Sequence, residues 1–89
     1  MRITFDPAKD AANVDKHGVS LALAAKLEWG WLLAAPDTRR DYGEARMIGY
    51  AMLRLRLYCV VFVDRGSERR VISLRKANPR EVKAYVSKN

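Results

Sequence analysis

Apolar positions along this chain of 89 residues keep a helical spacing near its start and end and an alternating one between. Arg2-Ile3-Thr4-Phe5 reads as a short first strand, and Asp6-Pro7 then supplies an N-cap and a proline at the first helical position. A helix is expected to about Lys16, with small apolar residues at Ala8, Ala11, Ala12 and Val14 and the left-handed C-terminal residue at Gly18. Asn13, Lys16 and His17 are its polar exceptions, and Asn13 and the Asp6 and Lys9 pair read as capping and surface residues. Ser20 caps a second expected helix whose apolar side is Leu21, Leu23, Ala24, Ala25 and Leu27, ended by Gly30. Trp29 and Trp31 beside that glycine are expected as core anchors, and residues 32–35 as a short strand before Pro36.

Residues 37–44 form a polar loop, and extended structure resumes at Arg46. From residue 53 to 63 every odd position is apolar, which is the period of a strand, and Val60 and Phe62 make its far end apolar on both faces. Asp64-Arg65-Gly66-Ser67 is a hairpin turn, so Val71, Ile72 and Leu74 are expected in a strand antiparallel to residues 57–63. Asn78-Pro79-Arg80-Glu81 combines N-cap, first-turn proline and capping-box glutamate. The helix that follows, residues 79–87, places Val82, Tyr85 and Val86 on the side facing the sheet. The expected architecture is α+β: one domain over residues 1–89, an antiparallel sheet of about four strands, two N-terminal helices and one C-terminal helix.

Charge adds a direction. The net charge is +7, and residues 1–36 hold four Lys/Arg against four Asp/Glu while residues 65–89 hold eight against two. Such a basic segment suits a phosphate backbone or an acidic protein partner better than a membrane surface, which calls for a basic amphipathic helix with large apolar residues. No apolar run reaches the ~20 residues of a membrane span, and the first residues lack a signal peptide's apolar core, so a cytoplasmic protein is expected. The single cysteine, Cys59, sits in an apolar run as a small buried hydrophobe. With one His and one Cys the chain is expected to use no metal and no cofactor.

The stretch from Arg69 to Ala77 runs as a strand into a helix start, which places Arg75 and Lys76 beside orphan N–H groups and a positive dipole end. Several short motifs recur in a fixed order: Phe5-Asp6 with Lys9, Asn13, Lys16-His17-Gly18-Val19-Ser20, Asp37, Glu44-Ala45-Arg46, Ile48-Gly49, Ile72-Ser73-Leu74-Arg75-Lys76-Ala77, and Glu81 with Tyr85. In that order and spacing the chain resembles the BrnT family of bacterial toxins, the ribonuclease half of a type II toxin–antitoxin pair. It departs from the family's look at Leu74, at Leu21 and Leu27, and at Met52-Leu53-Arg54-Leu55, where a Gly- or Ser-rich turn is usual. The resemblance implies a fold like that of RelE-type ribonucleases and RNA cleavage that arrests growth. It also implies neutralisation by a small ribbon-helix-helix antitoxin of the BrnA type, in a heterotetramer.

Metal-free RNA cleavage needs a group to take the 2′-OH proton, a group to protonate the leaving 5′-oxygen, and cations for the pentacoordinate phosphate. His17 has an unperturbed pKa near neutrality, and Glu44, Lys16, Lys76 or Tyr85 serve if their surroundings shift them. Arg46 and Arg75 are natural phosphate clamps. His17, Glu44, Arg46, Arg75 and Lys76 are therefore the candidate catalytic set, with Lys16, Arg70, Arg80 and Tyr85 as RNA contacts. Each has a structural alternative: His17 bonding the last helical carbonyls, Glu44 and Arg46 as a cross-strand ion pair, Tyr85 in the core with its hydroxyl at the rim. The competing functional reading is a non-enzymatic basic module that binds RNA or an acidic protein.

Overall fold

In the computed structural model, which describes residues 1–88, the chain runs β1 (Arg2–Thr4), α1 (Pro7–His17), two 3₁₀ segments (Leu21–Lys26 and Trp29–Trp31), β2 (Leu33–Pro36), β3 (Met47–Leu53), β4 (Arg56–Arg65), β5 (Glu68–Lys76) and α2 (Pro79–Lys88). The fold is α+β, but its sheet has five strands in the order β1-β5-β4-β3-β2 and is mixed, because β1 pairs parallel with β5. This corrects the expected antiparallel sheet of about four strands. β1 covers only the first part of β5, from Glu68 to Arg70, and its parallel direction lets the chain that leaves it carry α1 along the rest of that strand.

The join is made by Asn13. Its side chain donates to the Leu74 carbonyl at 2.8 Å, accepts from the Leu74 N–H at 3.2 Å and donates to the Val19 carbonyl at 2.8 Å. Asn13 is the buried residue of α1, 6% exposed, whereas Ala8, Ala11, Ala12 and Val14 face solvent. The surface role expected for Asn13 is therefore corrected: β5 runs on beyond the end of β1, and an amide there satisfies a peptide that would otherwise lack a partner. Asp6 and Gly18 cap α1 as expected, Asp6 accepting from the Ala8 N–H and Gly18 adopting a φ of 71°.

The second helix is 3₁₀. Its buried positions, Leu21, Ala24 and Leu27, recur every third residue, which is the 3₁₀ period, so the tighter turn buries all three where an α-helix would rotate them apart. Asp10 fixes its start by accepting from the Ser20 hydroxyl and the Leu21 N–H. The tryptophans part company: Trp29 packs edge-on against Phe62 with centroids 5.6 Å apart, while Trp31 is 67% exposed. Gly30 lies within the second 3₁₀ turn rather than ending a longer helix.

The alternation over residues 53–63 spans a turn. Leu53 pairs with Arg56, leaving Arg54 and Leu55 as a two-residue hairpin loop with Arg54 at φ 55° and Leu55 98% exposed. Beyond it, residues 57–63 of β4 are all buried, and β4 pairs antiparallel with β5 as the Gly66-Ser67 turn predicts. Ala51, Tyr58, Val60, Phe62, Val71 and Leu74 meet Leu21, Ala24 and Leu27 in the core on one face of the sheet. Gly49 belongs to that face, and a Cβ there would lie 2.8 Å from both the Ala34 Cβ and the Leu33 carbonyl oxygen.

The opposite face carries Tyr50, Cys59 and Arg75, with α2 over one end. The expected stripe on α2 is largely uncovered: the helix has no buried residue, Val82 is 38% exposed and Val86 66%. Polar contacts hold α2 instead, through Glu81 and through the Tyr85 hydroxyl, which donates to the Trp31 carbonyl at 2.8 Å.

Candidate active site

Strand register brings one set of charges together on the α2 face. Met47 pairs with Phe62, so Arg46 stands opposite Val63, which pairs with Arg70, which in turn pairs with Thr4. Opposed residues share a face, and Val63, Arg70 and Thr4 form one row across three strands that Arg46, the residue before β3, extends. Arg70 and Arg75 share that face although five residues separate them, because β5 bulges at Ile72 opposite the Val61 and Phe62 step and the extra residue flips the alternation.

The row contains unanswered donors. The Nε atoms of Arg46 and Arg70 are buried without a hydrogen-bond partner, as is the Thr4 hydroxyl, although Thr4 has the Glu68 carboxylate beside it. The Arg70 guanidinium makes no hydrogen bond or ion pair to a described residue, although its charge acts on Glu44 and Glu68. Arg46 stacks over the Tyr42 ring at 4.1 Å and reaches Glu44 at 4.0 Å. Glu44 is bound more closely by Arg65, at 2.7 Å, and that bond, with the charges of Arg65, Arg46 and Arg70, holds its carboxyl below the usual 4.5.

About 13 Å along β4, four residues at strand rise, lies a second row of Tyr50, Cys59 and Arg75. Its charges are answered. Arg75 forms two 2.8 Å bonds to Glu81, which also accepts from the Tyr50 hydroxyl at 3.0 Å and from the Asn78 N–H at 2.9 Å, while Asn78 accepts from the Glu81 N–H at 2.8 Å. The Arg75 bond is the main reason the Glu81 carboxyl falls to about 2, and burial, then Glu81, pushes the Tyr50 phenol up to about 12. Burial raises the Cys59 thiol, which makes it a poor nucleophile. From the loop, Arg39 comes near enough to Cys59 to interact with it electrostatically, and it holds buried Asp37 at about 2 through bonds of 2.7 and 2.8 Å.

Residues 5–81 match the family described as ribonuclease toxin, BrnT, of type II toxin-antitoxin system. The chain belongs to that family. It is also similar to the 1.1 Å crystal structure of the Brucella abortus ribonuclease toxin, BrnT, with 28% identity and a TM-score of 0.66 over 88% of this chain and 97% of that one. None of the curated protein sequences compared with it matches.

In this BrnT-family chain, then, the structure gathers Glu44, Arg46 and Arg70 and separates them from the rest of the expected set. Arg75 and Lys76 are consecutive on a strand and point to opposite faces, so they do not make one anion site: Lys76 pairs across with Tyr58 and lines a groove with Lys26 on the core side. His17 ends α1 beside the free edge of β5, where burial, then Lys16 and Arg75, hold its imidazole below 6.5. No hydrogen bond or ion pair joins His17 or Lys16 to the Glu44 row among the described residues. Arg80 and Tyr85 lie on α2, where both line a cleft of about 480 Å³ with Ile48 and Tyr50. Sequence reasoning missed Arg65 as the partner of Glu44, Tyr42 as the ring under Arg46, and Glu81 as the neutraliser of Arg75. Only Glu81 had a local signal, its capping-box position, and that signal indicated a cap rather than an ion pair.

Proposed function

We propose that this protein is a metal-independent endoribonuclease acting in the cytoplasm, whose cleavage of RNA arrests growth. We further propose that a BrnA-like ribbon-helix-helix antitoxin neutralises it in a heterotetramer. Its mixed sheet backed by helices supports the implied kinship with RelE-type ribonucleases. The observation that carries the proposal is Arg70, a partly buried guanidinium that makes no hydrogen bond or ion pair to a described residue, sharing a row with Arg46 and near the Glu44 carboxylate. Unmade bonds to buried donors cost about 1–3 kcal/mol each, and a phosphate drawing both guanidinium groups toward it relieves that cost.

The reaction assigned to this row is internal transphosphorylation. Glu44, held ionised by Arg65, takes the 2′-OH proton; the 2′-oxygen bonds to phosphorus as the bond to the 5′-oxygen breaks, and that oxygen takes a proton from solvent. Arg46 and Arg70 stabilise the extra negative charge on the pentacoordinate phosphate. Tyr42 fixes the plane of the Arg46 guanidinium. The second row, with Arg75, Arg80 and Tyr85, receives the flanking RNA; His17, Lys16 and Lys76 add positive field along the β5 edge. In this reading the Glu44 carboxylate supplies the base and the Arg46 and Arg70 guanidinium groups supply the charge that a metal ion would otherwise provide. Product ends test the reading: cleavage in excess EDTA that leaves 2′,3′-cyclic phosphate and 5′-hydroxyl ends is expected. Cleavage that requires Mg²⁺ and leaves 5′-phosphate contradicts it, and binding without cleavage favours the non-enzymatic module.

A further inference from the structure

A groove of about 660 Å³ lies between the β3–β4 hairpin and the side of α2 away from the first cleft. Three of the chain's exposed large apolar residues converge on it: Leu55 at the hairpin tip and Val82 and Val86 on α2. Met52 and Leu57 also line it. A two-residue hairpin loop ordinarily carries Gly, Asn or Asp, and here it presents a fully exposed leucine beside an arginine at positive φ. Folding gains nothing from that leucine, so an external contact explains it.

The charges around the groove identify the occupant. Arg56 and Lys83 line it, Arg54 adjoins it in the turn, no carboxylate lines it among the described residues, and none of these three cations pairs with a described acid. A second copy of this chain would bring like charge to like, at +7 per chain. RNA would find cations at the rim, but the floor is Met52, Leu55, Leu57, Val82 and Val86, with Tyr85 as its one aromatic ring, and so lacks a platform for stacked bases. We infer that this groove docks a segment of the protein antitoxin in which apolar anchors are flanked by Asp or Glu. The inference rests on the toxin–antitoxin reading above and names the surface of contact. Tyr85 lines this groove as well as the first cleft, so a segment seated here touches the helix that carries the Glu81 to Arg75 link.

The test uses the full chain, the double variant L55D/V86D, and the protein product of the reading frame adjoining its gene. Both substitutions are at exposed positions outside the Arg46 row, so the variant is expected to keep the parent's thermal midpoint and RNA cleavage. By isothermal titration its affinity for the neighbouring protein is expected to fall by about a hundredfold or more, as for loss of central apolar anchors. Equal affinity in parent and variant overturns the groove while leaving the toxin–antitoxin reading standing. No complex with the parent overturns both. A parent dimer in sedimentation that the variant abolishes assigns the groove to self-association and overturns the proposal, as does loss of RNA binding in the variant.

Discussion

Asn13 substitutes for a strand: its side-chain amide bonds both backbone groups of Leu74, donating to the carbonyl at 2.8 Å and accepting from the N–H at 3.2 Å. The contact links residues 61 positions apart and lets α1 take over the edge of β5 where β1 stops. It also holds the strand that carries Arg70 and Arg75, so a fold contact positions both rows of the site.

Replacing Asn13 with Ala strands the Leu74 N–H and leaves the Leu74 and Val19 carbonyls short of a donor in a buried place. A loss of about 2–4 kcal/mol is expected, from the usual cost of unmade buried hydrogen bonds. Urea denaturation of parent and variant measures it; a loss within about 0.5 kcal/mol, the range of a surface substitution, contradicts this role.

Glu81 gives acid stability a defined window. Its folded pKa is about 2 against an ordinary 4.5, a depressed value, so its contribution is complete above pH 4.5 and is lost as pH falls toward 2. Glu81→Gln retains an acceptor for the cap but removes the ion pair. At neutral pH it is expected to lower stability by about 1–2 kcal/mol, allowing for screening of a partner that is a third exposed. The gap between parent and variant should close as pH falls through that window. A gap that persists unchanged to pH 2 contradicts the assignment.

Cleavage should report which group takes the proton. Glu44 is held below 4.5 by Arg65, so with Glu44 as base kcat/KM stays level as pH falls from 7 to about 5. His17 is held below 6.5, chiefly by burial, and as base it would bring the acid limb near its own pKa, with a tenfold fall per unit beneath it. An acid limb above about pH 5 that Glu44→Gln leaves in place transfers the role to His17.

The features legible in the sequence were those set by neighbouring residues. Asp6-Pro7 and Gly18 marked α1, Gly66-Ser67 marked the β4–β5 hairpin, and Asn78 with Glu81 marked the start of α2. Where distant parts of the chain decide, the pattern misled. Leu21, Ala24 and Leu27 fit an α-helical stripe as well as a 3₁₀ one until the sheet selects every third residue. Leu53 and Leu55 continue a strand's alternation through a turn, because an exposed leucine looks the same as a buried one in sequence. The grouping of the candidate site was legible only in part for the same reason: Glu44 and Arg46 are close in sequence, but Arg70 joins them only through strand register, and the bulge at Ile72 decides which arginines share its face.

The central claim is that the Arg46 and Arg70 guanidinium groups, each with a buried Nε lacking a hydrogen-bond partner, receive the scissile phosphate, and the kinetics of Arg70→Ala against an RNA substrate test it most directly. Because the Arg70 guanidinium makes no hydrogen bond or ion pair to a described residue and acts on Glu44 and Glu68 only by its charge, its removal should leave the thermal midpoint close to the parent's. The expected result is a fall in kcat/KM of about a hundredfold or more at an unchanged midpoint, as for other donors that meet developing charge. An Arg70→Ala protein that is folded and cuts RNA at the parent's rate contradicts the account.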